Sequence, residues 1–263
     1  MVDPRPGGLG LYDPDYVALN APQVGRLIHG YFRAEVRGLE RLPEGAFLGV
    51  GNHSGAAMIP DTLVWLAAYH NAGLRTPLLT LAHDAMFDAY PAALARWLSR
   101  FGAIRADDAL ALEALQGGFA VQVYPGGDHD ACRSFARRHE IVFAGRKGYV
   151  ALAQRAGVPI VPVASVGAHE ALIILWEGRA LARWLGADRR LRLKAFPLSL
   201  SVPWGLWLGP LPGYLPLPTK IEIEVLEPVD PTGDIDEVDA RVRGALQRSV
   251  DAMARSRRAA WVG

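Results

Sequence analysis

Four short apolar runs, each closed by a polar or glycine-bearing turn and followed by helical spacing, restrict this chain to one broad class of fold. They are residues 46–51, 77–82, 119–124 and 158–164. Runs of this length without alternation read as strands buried on both faces. The segment after the first run reads as a helix with Asp61 at its N-cap. Residues 85–100 read as one helix with Phe87, Leu94, Trp97 and Leu98 inward. Asp107 and Asp108 cap a helix that Gly117-Gly118 stops, and Gly157 ends another over 149–156. Strands alternating with helices predict an α/β fold: a single domain with a mostly parallel central sheet flanked by helices.

The rest of the chain is less regular. Residues 1–20 read as irregular and 22–35 as a short amphipathic helix, so 1–35 form an N-terminal segment whose apolar face leans on the core or on a membrane surface. A weak strand follows at 36–39. A Leu- and Trp-rich helix is expected over 171–185, then a basic cluster, Arg189, Arg190, Arg192 and Lys194. Residues 195–219 carry no charge, and their six prolines break any continuous membrane helix. Residues 220–226 alternate as an edge or one-sided strand does, and a helix over 236–258 closes the chain.

Composition narrows the function. A net charge of +1 argues against general nucleic-acid binding. One cysteine, Cys132, allows no internal disulfide and fits a reducing compartment. The N-terminus shows no signal-peptide pattern, and no 18-residue apolar span reads as a membrane helix. A mean hydropathy of +0.11 is high for a soluble enzyme and suits contact with lipid.

The chemistry gathers at strand ends. Asn52-His53-Ser54 leaves the first run and Asp61 returns at the next helix start, the place where open α/β sheets keep their active sites. Downstream stand Gly102-Ala103-Ile104-Arg105, then Tyr124-Pro125-Gly126-Gly127-Asp128-His129-Asp130, then Val158-Pro159-Ile160-Val161-Pro162-Val163. In this order the four motifs resemble the glycerolipid acyltransferase superfamily, with its His…Asp, Gly-x-Ile-x-Arg, Pro-Glu-Gly or Pro-Gly-Gly, and Val-Pro-Ile-x-Pro-Val signatures. The resemblance covers about residues 46–170. It implies an acyltransferase domain over 36–263 that moves a fatty acyl group from acyl-CoA or acyl carrier protein to a glycerolipid hydroxyl, such as that of lysophosphatidate or a mono- or diacylglycerol. His53 would be the general base and Asp61 its orienter. Asn52, Ser54, Arg105, Gly126, Gly127, Asp128, Arg146 and Lys147 would bind substrate. The residue chemistry agrees. A hydroxyl attacking a thioester must lose its proton, an imidazole takes protons near neutral pH, and a carboxylate on its far nitrogen fixes the tautomer. No nucleophile motif Gly-x-Ser-x-Gly is present. No resident cofactor is expected, and no metal: Asp128, His129 and Asp130 lack a partner cluster at ligand spacing.

Two departures from the family pattern carry expectations. Seven residues separate His53 from Asp61, against the usual four, which makes Asp84 the reserve partner and keeps open a lipid-binding relative with little or no turnover; thioester hydrolysis is a third reading. The third motif lacks the Glu and Arg of the phosphate-binding form and looks more like the diacylglycerol acyltransferase branch, as do Arg146-Lys147-Gly148-Tyr149 and Ser165-Val166-Gly167 with Glu170. That tips the acceptor toward a neutral lipid. The 196–218 stretch is either a folded-down hydrophobic loop or a membrane-facing lid with Trp204, Trp207 and Tyr214 at the lipid interface. The implied location is cytoplasmic, peripheral on the inner membrane face.

Overall fold

The computed structural model describes residues 5–186, 195–209 and 213–257. Its centre is a seven-stranded sheet with the order β1-β10-β6-β2-β5-β3-β4. The strands are β1 (Glu35–Arg37), β2 (Leu48–Gly51), β3 (Leu78–Ala82), β4 (Ala103–Arg105), β5 (Ala120–Val123), β6 (Ile160–Val166) and β10 (Glu222–Val225). The block β6-β2-β5-β3-β4 is parallel throughout, while β10 lies antiparallel to β6 and β1 parallel to β10. The expected α/β sheet is therefore present, with all four apolar runs in it.

Alternation along each strand splits the apolar side chains between two layers. Leu48, Val50, Val121 and Ile160 face α5 (Asp108–Gln116), α7 (Gly148–Ala156) and α9 (Ile235–Ser256), where Leu115, Val150 and Leu246 meet them. Phe47, Leu78 and Val161 face the other way, against Trp65 and Tyr69 of α2 (Pro60–Asn71) and Phe32 at the end of α1 (Pro14–Tyr31).

Four expectations change. The N-terminal helix is longer than 22–35: Asp13 caps it by accepting the Tyr16 N–H at 2.9 Å, Pro14 takes the first position, and Pro22 is carried inside. Residues 85–100 break at Pro91 into α3 (Ala85–Asp88) and α4 (Ala92–Arg100), and of the side chains expected inward Phe87 is buried while Leu94 and Trp97 are exposed. The 220–226 strand is not at the edge, because β1 covers its outer side. Its alternating glutamates are bound rather than solvated: Glu224 accepts from Ser249 Oγ at 2.6 Å, and Glu222 lies 3.7 Å from Arg37 and 3.9 Å from Arg257. Residues 171–185 are not one helix. Gly178, at φ 64°, separates strand β7 (Ile173–Trp176) from the short α8 (Arg179–Trp184).

The uncharged stretch supplies β8 (Leu198–Ser201) and β9 (Gly205–Leu208), which join β7 in a second, antiparallel sheet of order β7-β8-β9. Its polarity is inverted. Ser199 and Ser201 are buried, while Leu200 and Leu206, cross-strand partners, are 45% and 63% exposed. Trp176, Trp204 and Leu208 are exposed beside them. Tyr214, expected at the lipid interface, is instead buried, and its hydroxyl donates to the Gly55 carbonyl. The basic cluster at 189–194 lies outside the described residues.

Candidate active site

Asn52 and His53 lie just past the end of β2, and Gly126, Gly127 and Asp128 just past the end of the adjacent parallel β5, while β6 on the other side of β2 runs on to Val166. Asn52 follows β2 directly. Its side-chain amide donates to the Ser165 carbonyl at 2.9 Å and accepts the Ser165 N–H at 2.8 Å, so it ties β2 to β6 where the strand ladder stops. Asn52 is thus committed to the backbone rather than turned to a substrate, and Ser54 is buried beside it.

The long spacing between His53 and Asp61 is absorbed locally. Gly55, Ala56 and Ile59 all take positive φ, and a single 3-10 turn spans Ala56–Met58. A Cβ on Gly55 would stand 2.4 Å from the Pro60 ring, so the turn accepts only glycine there. Asp61 then enters the first turn of α2; the cap position itself is Ile59. The result places Asp61 Oδ1 3.4 Å from His53 Nδ1. Asp61 is buried and oriented by the Thr62 N–H, which it accepts at 2.7 Å, and Thr62 Oγ1 lies 3.5 Å from the same imidazole nitrogen. Tyr124, at the end of β5, stacks on the imidazole with ring centres 4.4 Å apart and an angle of 23°. Burial, then the nearby Asp61 charge, raises the Tyr124 phenol well above its ordinary range. The Asp61 carboxylate faces Nδ1 and leaves Nε2 on the far side of the ring.

The reserve partner, Asp84, is elsewhere engaged. Arg105 donates to it at 3.2 Å and to Asp88 at 2.6 Å. Arg105 is thereby neutralised by two carboxylates. Arg146 donates to the Pro125 and Gly126 carbonyls at 3.1 and 3.0 Å and reaches Asp128 at 3.2 Å; Lys147 pairs with Asp236 at 2.6 Å. These cations brace the third motif and the start of α9. Gly127, just before the short α6 (Asp128–Ala131), donates its N–H to the Tyr124 carbonyl and closes a tight turn, and at φ 49°, ψ −129° it sits where an L side chain is strained.

Asp130, Arg133 and His169 form a constellation that sequence reasoning did not assemble. Asp130 and Arg133 are wholly buried and ion-paired. Asp130 Oδ2 accepts the His53 backbone N–H at 2.5 Å. Arg133 also meets His169 Nε2 at 2.8 Å. Burial, then the Arg133 charge, holds the His169 pKa far below the usual imidazole range, so it is neutral. A lone Asp and a lone Arg in a polar turn give no sign of burial; the one signal is Gly126, where a Cβ would meet the Asp130 side chain. Desolvation pushes the Cys132 thiol up to about 12, which keeps it from acting as a nucleophile. Among the described residues no three His, Cys, Asp or Glu side chains stand close enough to hold a metal ion.

The acyltransferase family model matches residues 33–166, from before β1 to the end of β6. An uncharacterized protein of Mycobacterium tuberculosis is 30% identical over 231 residues, 87% of this chain and 61% of that one. The DGAT1/2-independent enzyme synthesizing storage lipids of Mus musculus is 28% identical over 225 residues, 85% of this chain and 60% of that one. The chain therefore spans about six-tenths of the length of these curated relatives. The crystal structure of a 1-acyl-sn-glycerophosphate acyltransferase from Thermotoga maritima shares the fold, with a TM-score of 0.57 at 20% identity over 93% of this chain and 82% of that one.

Proposed function

The chain belongs to the acyltransferase family, within the glycerolipid acyltransferase superfamily, and on that premise we propose that it transfers an acyl group from a thioester to a lipid hydroxyl, with His53 as general base and Asp61 as its orienter. The observation that carries this reading is the buried Asp61 carboxylate 3.4 Å from His53 Nδ1 at the ends of β2 and β5. His53 Nε2 takes the proton of the acceptor hydroxyl as its oxygen attacks the thioester carbonyl. The tetrahedral intermediate collapses, the C–S bond breaks, and the thiolate leaving group takes the proton from the imidazolium. The donor is acyl-CoA or an acylated carrier protein. The long first-motif loop was the reason to consider a relative without turnover; its folding back onto His53 supports an enzyme instead. Thiol release from acyl-CoA, with and without lipid acceptors, is the test. Release that needs an acceptor supports transfer, and equal release without one makes the protein a hydrolase.

The acceptor is best read as a neutral lipid alcohol. Arg105, Arg133, Arg146 and Lys147 are all held by carboxylates of the protein, whereas a phosphate acceptor calls for several donors aimed at it. The mouse relative is named as an enzyme synthesizing storage lipids. In competition, monoacylglycerol is expected to show the higher kcat/KM. A tenfold preference for lysophosphatidate, about 1.4 kcal/mol of transition-state binding, overturns the neutral reading.

The place of action is proposed to be a membrane surface, met by the inverted sheet. No helix of the described residues is long and apolar enough to cross a membrane, yet β7-β8-β9 turns leucines and tryptophans outward and serines inward. Trp204 and Trp176 are the residue type that settles at a lipid interface. Tyr214 ties the segment after β9 to the first-motif loop through Gly55, so a bilayer under the sheet lies close to His53. Replacing Trp204 and Leu206 together by serine is expected to weaken binding to phospholipid vesicles by tenfold or so, since two large side chains leave lipid. Unchanged vesicle binding overturns the surface, whatever the enzyme assay shows.

A further inference from the structure

Asp130 touches no atom that the proposed reaction uses, yet it is the most heavily invested side chain in the site. It is wholly buried, as is its partner Arg133. One carboxylate oxygen accepts the His53 backbone N–H at 2.5 Å; the other meets Arg133 and the Val142 N–H at 3.2 Å. Arg133 is fixed in turn by His169 Nε2 at 2.8 Å and the Arg138 carbonyl at 3.1 Å. The third motif is shaped to admit this carboxylate. A Cβ on Gly126 would lie 2.4 Å from the Asp130 Cβ and 2.4 Å from the Val142 carbonyl oxygen, so glycine is the price of bringing Asp130 in. Gly126 thereby serves clearance rather than substrate approach.

A buried ion pair adds little net stability, because desolvation cancels most of its attraction. What it supplies here is a fixed anchor. The His53 N–H lies past the last ladder pair of β2, Gly51 with Val163, where the backbone has begun to turn. From these contacts we infer that Asp130 is the positioning residue for His53, held by Arg133 and through it by His169. It sets where the imidazole stands relative to the attacked carbonyl, and a shift of about 1 Å at that point costs on the order of 10²-fold in rate. This rests on the proposed role of His53 and adds to it a residue acting through the backbone.

Removing one charge alone leaves its partner buried and unpaired, so the test removes both. Asp130→Asn with Arg133→Met keeps an acceptor for the His53 N–H. Asp130→Leu with Arg133→Met has none. The first double variant is expected to keep kcat within about fivefold of wild type. The second is expected to lose roughly 10- to 100-fold in kcat with the KM values of donor and acceptor within about threefold. A role confined to stability moves neither ratio in a folded protein. Equal kcat in the two folded variants, or a change confined to KM, overturns the inference. Should the leucine variant not fold, wild-type hydrogen exchange decides: a His53 amide as protected as those of β2 supports the anchor, and one that exchanges like an open loop overturns it. His53→Ala keeps the two claims apart. If it is inactive while the leucine variant works normally, only the anchor fails; if it is active, the general base itself is wrong.

Discussion

His53→Ala is expected to lower kcat by roughly 10²–10⁴-fold, the range for loss of a general base, in a protein that stays folded. The imidazole is mostly covered, with 13% of its side chain exposed, and it packs on Tyr124 rather than within either apolar layer. Its removal leaves a gap at a polar mouth, and the backbone N–H that Asp130 holds is retained by alanine. Activity and stability should therefore separate. Single-turnover thiol release in the presence of acceptor measures the first and thermal unfolding the second. Activity within a few-fold of wild type in the folded variant would sink the mechanism.

Asp61→Asn is the second large effect, a loss of up to about 10⁴-fold, through the tautomer rather than the charge alone. Asparagine fits the same space, but its amide can turn an N–H toward Nδ1. The imidazole then carries its proton on Nε2, the nitrogen that must accept one. The Thr62 N–H and His53 Nδ1 meet the same oxygen, Oδ1, so the turned amide gives up the Thr62 bond, and thermal unfolding checks that the start of α2 persists. Asp84→Asn is the control. Asp84 is bound to Arg105 and 42% exposed, and its loss should change turnover little. The reverse pattern, Asp84→Asn damaging and Asp61→Asn silent, would overturn the pairing.

Much of this frame is legible in the sequence, because it rests on burial. The four apolar runs are buried between two layers, so each carries a mainly hydrophobic signal, interrupted only by Thr80 and Gln122, that locates β2, β3, β5 and β6. The departures occur where a local signal competes with a tertiary one. Residues 171–185 mix Leu and Trp at spacings that suit a helix; only the positive φ of Gly178 and pairing with β8 make 173–176 a strand. Glu222 and Glu224 look solvated because the arginines and the serine that bind them come from distant elements. The site divides in the same way. His53 and Asp61 are readable as a pair because base and carboxylate bracket one loop, and the three positive-φ residues that fold that loop back are what spacing alone misses. Arg105, Arg146 and Lys147 are readable as cations, but the carboxylates that occupy them are set by the fold.

The inverted sheet has a consequence for how such an enzyme meets its acceptor. Seated in lipid as proposed, by Leu200, Leu206 and Trp204, the protein would search a plane, and the acceptor it finds would be dissolved in that plane. Encounter then follows the mole fraction of acceptor among the surrounding lipids. Adding more vesicles of the same composition raises the amount of acceptor in the tube without bringing any of it nearer to His53. Diluting the acceptor with inert lipid slows the reaction even when its total amount is unchanged.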